Sequence, residues 1–215
     1  MKIAIVGGTG REGKGLTLRW ARAGHAVSIG SRDAEKAKAR AEELRGETGL
    51  PITGDGNDVV TKDADVVVLS VPYGAHADTL RSIAPALAGK ILIDITVPLK
   101  PPKVGEVNLP AGNAAALEAQ AIVGAEVKLV AGLHHLSSVH LGDTEHKLED
   151  DVLLCSDHPE ALEAVTGLIQ DLGARALDAG PLKNAVALES MTPVLLYMGK
   201  KYKSPGLGLH VTGLK

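Results

Sequence analysis

The sequence predicts an α/β fold, a doubly wound parallel sheet followed by a smaller C-terminal α/β unit. Three observations predict it. Short apolar runs alternate with longer helical stretches from the second residue onward. Hydrophobic residues make up 45% of the chain while aromatics are 2% and Phe is absent. The core must therefore be Ala, Val, Leu and Ile, which suits a sheet buried on both faces. The first apolar run also ends in glycines and meets a helical pattern at once, the strand–turn–helix that begins a βαβ unit.

The elements read in order. Lys2–Val6 is a strand, Gly7–Gly10 a turn, and Arg11–Ala23 a helix closed by Gly24. Ala26–Gly30 is the second strand and Asp33–Arg45 a charged helix. A short third strand is expected near Pro51. Asp65–Val71, with consecutive valines, is the fourth, and Pro72 and Tyr73 open the next helix. Lys90–Ile95 is a strand followed by the proline-rich loop Val97–Lys103; Asn113–Ile122 reads as a helix and Lys128–Ala131 as a strand. Right-handed crossovers place these strands in one sheet. Beyond Asp150 the pattern changes. Asp151–Cys155, Pro159–Asp171 and Ala174–Leu177 form a further β-α-β piece. Ala185–Tyr202 reads as a helix interrupted at Pro193. The tail Ser204–Lys215 ends in a strand-like pattern. The expected division is residues 1–150 as the main domain and 151–215 as a small C-terminal domain that completes a cleft.

Composition excludes several function classes. The net charge is -3 and no long basic run is present, which argues against nucleic acid as a partner. A single cysteine, Cys155, leaves neither a disulfide framework nor a multi-cysteine metal site. Ile3–Val6 is too short for a signal peptide, and no apolar run approaches the roughly 18 residues that span a bilayer. A soluble, cytoplasmic protein without a membrane partner is expected.

Gly8-Thr9-Gly10-Arg11-Glu12-Gly13 matches G-x-G-x-x-G directly after a strand and before a helix. The first glycine permits a tight turn, the second lets backbone amides approach a pyrophosphate, and the third allows close helix–strand packing. The helix N-terminus adds free N–H groups and partial positive charge. This pattern predicts a dinucleotide-binding Rossmann unit. At the end of the second strand, where NAD enzymes usually hold an acid for the ribose hydroxyls, stand Ser31 and Arg32, with Lys36 a turn further on. These donors suit an adenosine 2′-phosphate and predict NADP(H). Asp33 reads either as a displaced ribose-binding acid or as the cap of the next helix.

The motifs together resemble a known family. Gly7–Gly10 with Gly13-Lys14-Gly15, Gly30-Ser31-Arg32 with Lys36, Val71-Pro72, Leu177–Leu182 with Asn184, Glu189-Ser190 and Thr192-Pro193 resemble the NADPH-dependent reductases of coenzyme F420, the F420H2:NADP oxidoreductases. The resemblance runs essentially end to end, and the Asp178–Asn184 and Glu189–Pro193 stretches carry its specificity. It implies reversible hydride transfer between NADP(H) and the 5-deazaflavin F420, and a homo-oligomer, most simply a dimer. It implies that Thr9, Gly10, Arg11, Glu12, Ser31, Arg32, Lys36, Val71 and Val97 contact NADP, and that His134, Ser190 and Thr192 border the transfer site. Val186 stands where some members carry Arg, and the His134–Ser138 segment differs from the family pattern. The residues alone also admit an NADPH-dependent reductase of another small acceptor (an imine, a carbonyl or a flavin) or a non-catalytic NADPH sensor.

Both F420 and nicotinamide are two-electron carriers, so orientation and electrostatics are what the protein must supply, with the reacting carbons about 3–3.5 Å apart. Val71, Pro72 and Val97 suit the nicotinamide face, while Pro72 and Pro98 stiffen their loops. His134, Ser190 and Thr192 are expected to donate hydrogen bonds to ring oxygens. His134 reads equally as a hydrogen-bonded strand-end residue, and Ser137-Ser138 as a cofactor contact or a plain loop. His134, His135, His140 and His146 fit no established zinc spacing, so no metal is expected. Trp20 and Cys155 read as packing residues, and Met191, Leu195, Leu196 and Met198 as core or interface.

Overall fold

A computed structural model describes residues 1–204 and 206–214. Its strands are β1 (Lys2–Val6), β2 (Ala26–Ser31), β3 (Thr53–Gly56), β4 (Val66–Leu69), β5 (Ile91–Asp94), β6 (Lys128–Ala131), β7 (Asp151–Ser156) and β8 (Arg175–Asp178). Its α-helices are α1 (Arg11–Arg22), α2 (Ala34–Thr48), α3 (Asn57–Asp63), α4 (Tyr73–Ile83), α5 (Ala115–Val123), α6 (Ser138–Gly142), α7 (Pro159–Asp171) and α8 (Ala185–Tyr202).

The strands form one sheet of order β3-β2-β1-β4-β5-β6-β7-β8. β1 pairs in parallel with β2 on one side and β4 on the other, Ile3 facing both Val27 and Val66. The parallel pairing continues through β6, so the α/β, doubly wound expectation is borne out. The chain leaves β1 toward β2 and β3, then returns to β4. That reversal opens a crevice beyond the C-terminal ends of β1 and β4. β7 runs antiparallel to β6, with Ala131 facing Cys155, and β8 runs parallel to β7. The stretch beyond residue 150 thus adds two strands to the same sheet.

Strand alternation divides the core. Ile3, Ile5, Val66, Val68, Val152 and Leu154 face one side with Trp20. Ala4, Val6, Val67, Leu69, Leu129 and Cys155 face the other. Burying each such aliphatic side chain fully contributes about 1.5–3 kcal/mol. Trp20 is wholly buried and its indole donates to Leu168 O at 2.8 Å. Burial pushes the Cys155 thiol up to about 11, leaving it an inert hydrophobe.

Arg19 on α1 is 8% exposed. Among the described residues its guanidinium donates only to backbone carbonyls: Leu141 at 3.1 Å, Leu172 at 3.2 Å, His140 at 2.9 Å, Asp143 at 2.7 Å and His146 at 2.8 Å. One side chain thereby fixes the irregular segment after β6 onto α1 and the end of α7.

Several elements differ from expectation. α3 and α6 carry no periodicity long enough to read in the sequence. α8 runs unbroken through Pro193, which is buried inside it. In an 18-residue helix, the packing of both halves outweighs the roughly 3 kcal/mol cost of an interior proline. The tail forms no strand among the described residues 206–214; Pro205 and Lys215 lie outside them. Instead it lies against the start of β7. The Asp151 amide donates to Leu209 O at 2.7 Å. The Asp151 carboxylate accepts from Arg175 Nε and Nη2, each at 2.6 Å, and from the Val211 amide at 2.6 Å, with His210 Nδ1 at 3.4 Å.

The hydrogen bond from Arg175 leads the effects that hold the Asp151 carboxyl down at about 2, against a smaller opposing push from burial. A carboxyl depressed in the folded state adds stability above its unfolded value of about 3.9, and that stability is lost as pH falls toward the folded value. Urea unfolding should therefore show a drop in stability between about pH 4 and pH 2 that Asp151→Asn flattens. An acid limb unaltered by the substitution would show that this latch does not contribute.

Candidate active site

The glycine loop closes the crevice at its β1 end. Gly7 has φ +74, and a Cβ there would lie 2.5 Å from Ser70 O, so the loops after β1 and β4 touch. The turn that needs a left-handed residue is thus at Gly7, one position before the motif. Its amide donates to Asn57 Oδ1 at 3.3 Å, and the Gly8 amide to Gly30 O at 3.1 Å. A Cβ on Gly13 would collide with the Gly8 carbonyl, while space around Gly10 is open. Gly10 begins α1 without a side-chain cap, and the first amide bonded back into the helix is that of Lys14. The amides of Arg11, Glu12 and Gly13 are left for an anion. This cradle fits a pyrophosphate.

Ser31, Arg32 and Lys36, the residues expected to read a 2′-phosphate, lie at and just beyond the end of β2. Ser31 is nearly buried, and its oxygen accepts from the Asp33 amide at 3.1 Å, leaving the hydroxyl proton free. Asp33 accepts from the Lys36 amide at 3.2 Å and is the cap of α2. Of the two readings of Asp33, the structure shows the cap. Arg32 and Lys36 are exposed, and among the described residues neither pairs with a carboxylate, whereas Lys38 pairs with Glu35 and Arg40 with Glu43.

Two cavities lie along the crevice. The smaller, about 250 Å³, is walled by Gly10–Glu12, Ser70–Pro72, Ile95–Val97 and Leu99. The larger, about 530 Å³, lies between His134–Val139, which includes Ser138, and one face of α8. Glu12, His134 and Thr192 border both. The structure therefore brings Gly10, Arg11, Glu12, Val71, Pro72, Val97, His134, Thr192 and Ser138 together. Pro98 and Ser190 line neither cavity. At about 100° of helix per residue, Ser190 faces nearly opposite to Thr192. Val186 is half-buried against the core and also lines neither.

His134 stands where the cavities meet. The preceding Leu133 has φ +64, a left-handed conformation that costs a non-glycine residue about 1–2 kcal/mol. That turn carries the chain off β6 into the cleft. His134 is 5% exposed, and among the described residues neither ring nitrogen has a protein partner. Burial pushes its imidazole down to about 4. It is therefore neutral at pH 7, with one donor and one acceptor unused. Thr192 Oγ1 donates to His134 O at 2.7 Å, so its proton serves the backbone and not the cavity. Glu12 opens onto the cleft, yet desolvation by its surroundings pushes its carboxyl up.

A buried layer supports these walls, and the sequence reading missed it. Asp94, fully buried at the end of β5, accepts from the Thr96 amide at 2.9 Å and pairs with His76 Nε2 at 2.7 Å. Burial pulls the His76 imidazole down, but the bond to Asp94 and its charge outweigh this, and its pKa is raised. Glu189 accepts from the Ala115 and Ala116 amides at 2.7 and 3.0 Å, capping α5 from α8. Burial pushes its carboxyl up to about 7 against those two donors. The one sequence signal for this layer is an acid, Asp94, ending an apolar strand. The histidine group does not converge either. His140 and His146 stack with centroids 4.3 Å apart, while His135 Nε2 donates to Asp151 O at 2.8 Å. Among the described residues no three His, Cys, Asp or Glu side chains are grouped to hold a metal ion.

Dinucleotide-binding oxidoreductases of the Rossmann class are built on this plan, with the coenzyme across the switch point and a second pocket meeting it. Comparison with known proteins narrows the class. Residues 2–98 match the family described as NADP oxidoreductase coenzyme F420-dependent. The whole chain is 37% identical to the F420-dependent NADP reductase of Methanothermobacter marburgensis, covering 99% of that protein. It is 35% identical to the F420-dependent NADP reductase of Methanocaldococcus jannaschii, over the full length of both. A crystal structure assigned to an F420-dependent NADP reductase of Arthrobacter sp. FB24 matches with a TM-score of 0.86 at 25% identity, covering 99% of this chain and 100% of that one. The chain belongs to the F420-dependent NADP reductase family, and the resemblance read from its motifs is borne out.

Thr192→Val removes the donor to His134 O while keeping the side-chain shape. It should cost about 1–2 kcal/mol in urea unfolding, because the carbonyl loses its partner. A loss below about 0.5 kcal/mol would show that the hydroxyl does not hold the His134 backbone.

Proposed function

We propose that this protein transfers a hydride reversibly between NADP(H) and coenzyme F420, with NADP(H) along the glycine loop and the deazaflavin in the larger cavity. The observation that carries this reading is that the two cavities meet at a buried, neutral histidine whose ring nitrogens have no partner among the described residues. When bound, the nicotinamide and the deazaflavin each supply a ring carbon that gives or takes a hydride. The chain's own residues position them. Gly8, Gly10 and Gly13 with the amides of α1 hold the pyrophosphate. Ser31, Arg32 and Lys36 hold the 2′-phosphate. Val71, Pro72 and Val97 offer a largely apolar wall that excludes water. His134 donates a hydrogen bond to a ring oxygen that gains negative charge, and Thr192 positions His134 through its carbonyl. Residues 151–215 complete the cleft through α8.

Among the described residues no helix is long and apolar enough to cross a membrane, which supports a cytoplasmic enzyme. The exposed apolar side chains of α8, Met191, Val194, Tyr197, Met198 and Tyr202, support a homodimer through that face. Sedimentation equilibrium at a dimer mass checks it, and a monomer at micromolar concentration would refute it.

Mixing purified protein with NADPH and oxidised F420 should bleach the deazaflavin absorbance at the rate NADPH is consumed. NADPH loss only with an imine, a carbonyl or a flavin would replace the acceptor; tight NADPH binding without any turnover would leave a sensor. Arg32→Ala should raise the KM for NADPH by about 10- to 100-fold, the worth of one charge-assisted bond of about 1.5–3 kcal/mol, and leave that for NADH nearly unchanged. Equal changes for both would show that Arg32 does not read the phosphate.

A further inference from the structure

The larger cavity carries two cations that hydride transfer does not use. Thr192, Leu196 and Gly199 recur along α8 at the spacing of one helix face, with Lys200 beside them and Lys203 at the left-handed C-cap, and all line the cavity. At a rise of 1.5 Å per residue, Lys200 stands about 12 Å along the axis from Thr192, where the two cavities meet, and Lys203 lies just past the helix end. Both lysines are exposed, and among the described residues neither pairs with a carboxylate. Other lysines do pair: Lys14 with Glu47, Lys62 with Asp58, Lys103 with Glu106 and Lys128 with Glu160. Among the described residues the cavity's single lining carboxylate, Glu12, is at the opposite end, beside Thr192. Lys201 sits 5.9 and 5.8 Å from the ring centres of Tyr197 and Tyr202, away from the cavity. The helix dipole favours cations in the last turn, but it does not select the face that carries them.

Coenzyme F420 continues from its ring through a ribityl chain to a phosphodiester and then to glutamate carboxylates. Five carbons joined by single bonds of about 1.5 Å carry the phosphate on the order of 10 Å from the ring. That reach is comparable with the separation of Lys200 from Thr192. We propose that Lys200 and Lys203 form an anion subsite that takes the phosphodiester and carboxylates of the F420 side chain. The subsite rests on reading the larger cavity as the deazaflavin site.

The test uses the full chain, its K200E/K203E and K200R/K203R variants, and two acceptors: F420 and the deazaflavin riboside that lacks phosphate and glutamates. Fluorescence titration reads each Kd, and steady-state rates read the KM for NADPH. In K200E/K203E the Kd for F420 should weaken about tenfold or more, while the riboside Kd and the NADPH KM stay within about twofold. Added NaCl should weaken F420 binding to the wild type and spare the riboside. K200R/K203R should keep the affinity for F420. An unchanged F420 affinity in K200E/K203E, or equal losses for both acceptors, overturns the subsite. A wild type that binds neither acceptor overturns the deazaflavin reading and the subsite with it; a wild type that binds both while the charge reversal changes nothing overturns the subsite alone.

Discussion

The candidate active site depends on the Arg19 guanidinium. The stretch from Gly132 to Asp150 includes only the short helix α6, and it still forms a wall of the larger cavity. Backbone without a regular ladder must find other partners for its carbonyls, because leaving one buried and unpaired costs about 1–3 kcal/mol. Arg19 supplies donors for Leu141, His140, Asp143 and His146 at once and anchors them to α7 through Leu172. Its own burial is tolerable because those carbonyls replace water. Burial still pulls its pKa down, Asp143 opposes the change, and it stays charged. Since Arg19 belongs to the helix that begins at the glycine loop, the walls of the smaller and the larger cavity share one rigid reference.

The electrostatics along the crevice are graded. Cations stand just beyond the end of β2, where Arg32 and Lys36 face solvent. The middle is kept neutral at the histidine by burial. Behind the Ile95–Val97 wall, Asp94 and His76 are hydrogen-bonded to each other and wholly buried. Removing a charge from water in such a layer is tolerated only with good partners. Asp94 has two, the imidazole of His76 and the amide of Thr96. The layer therefore sets the shape of the wall without presenting charge to the cavity.

Much of this was legible in the sequence. The glycine motif, the strand run from Ile3 to Val130 and the cationic end of β2 are local patterns, and local patterns survive folding. Asp33 was ambiguous because a cap and a ribose acid occupy neighbouring positions; the amide of Lys36 decides it. What could not be read depends on residues far apart in the chain. Asn57 holds the Gly7 amide across 50 positions, and Glu189 caps a helix 73 and 74 positions away. The left-handed conformation falls on Leu133 and not on the neighbouring Gly132, where the sequence would place it. Ser190 and Thr192 look equivalent in a motif but face opposite sides of α8. The tail looked like a strand because its apolar residues alternate, whereas Asp151 claims its backbone and leaves no ladder to join.

The reversal of β7 has an evolutionary consequence. Because that strand turns back against β6, the final helix returns to the crevice from the far edge of the sheet. Every residue we propose for the nucleotide's phosphates precedes position 98, and most of the lining of the larger cavity comes from positions beyond 133. The two specificities are thereby written in separate parts of the gene. Drift or design along the last helix can change the electron acceptor while the preference for the phosphorylated nucleotide is inherited intact.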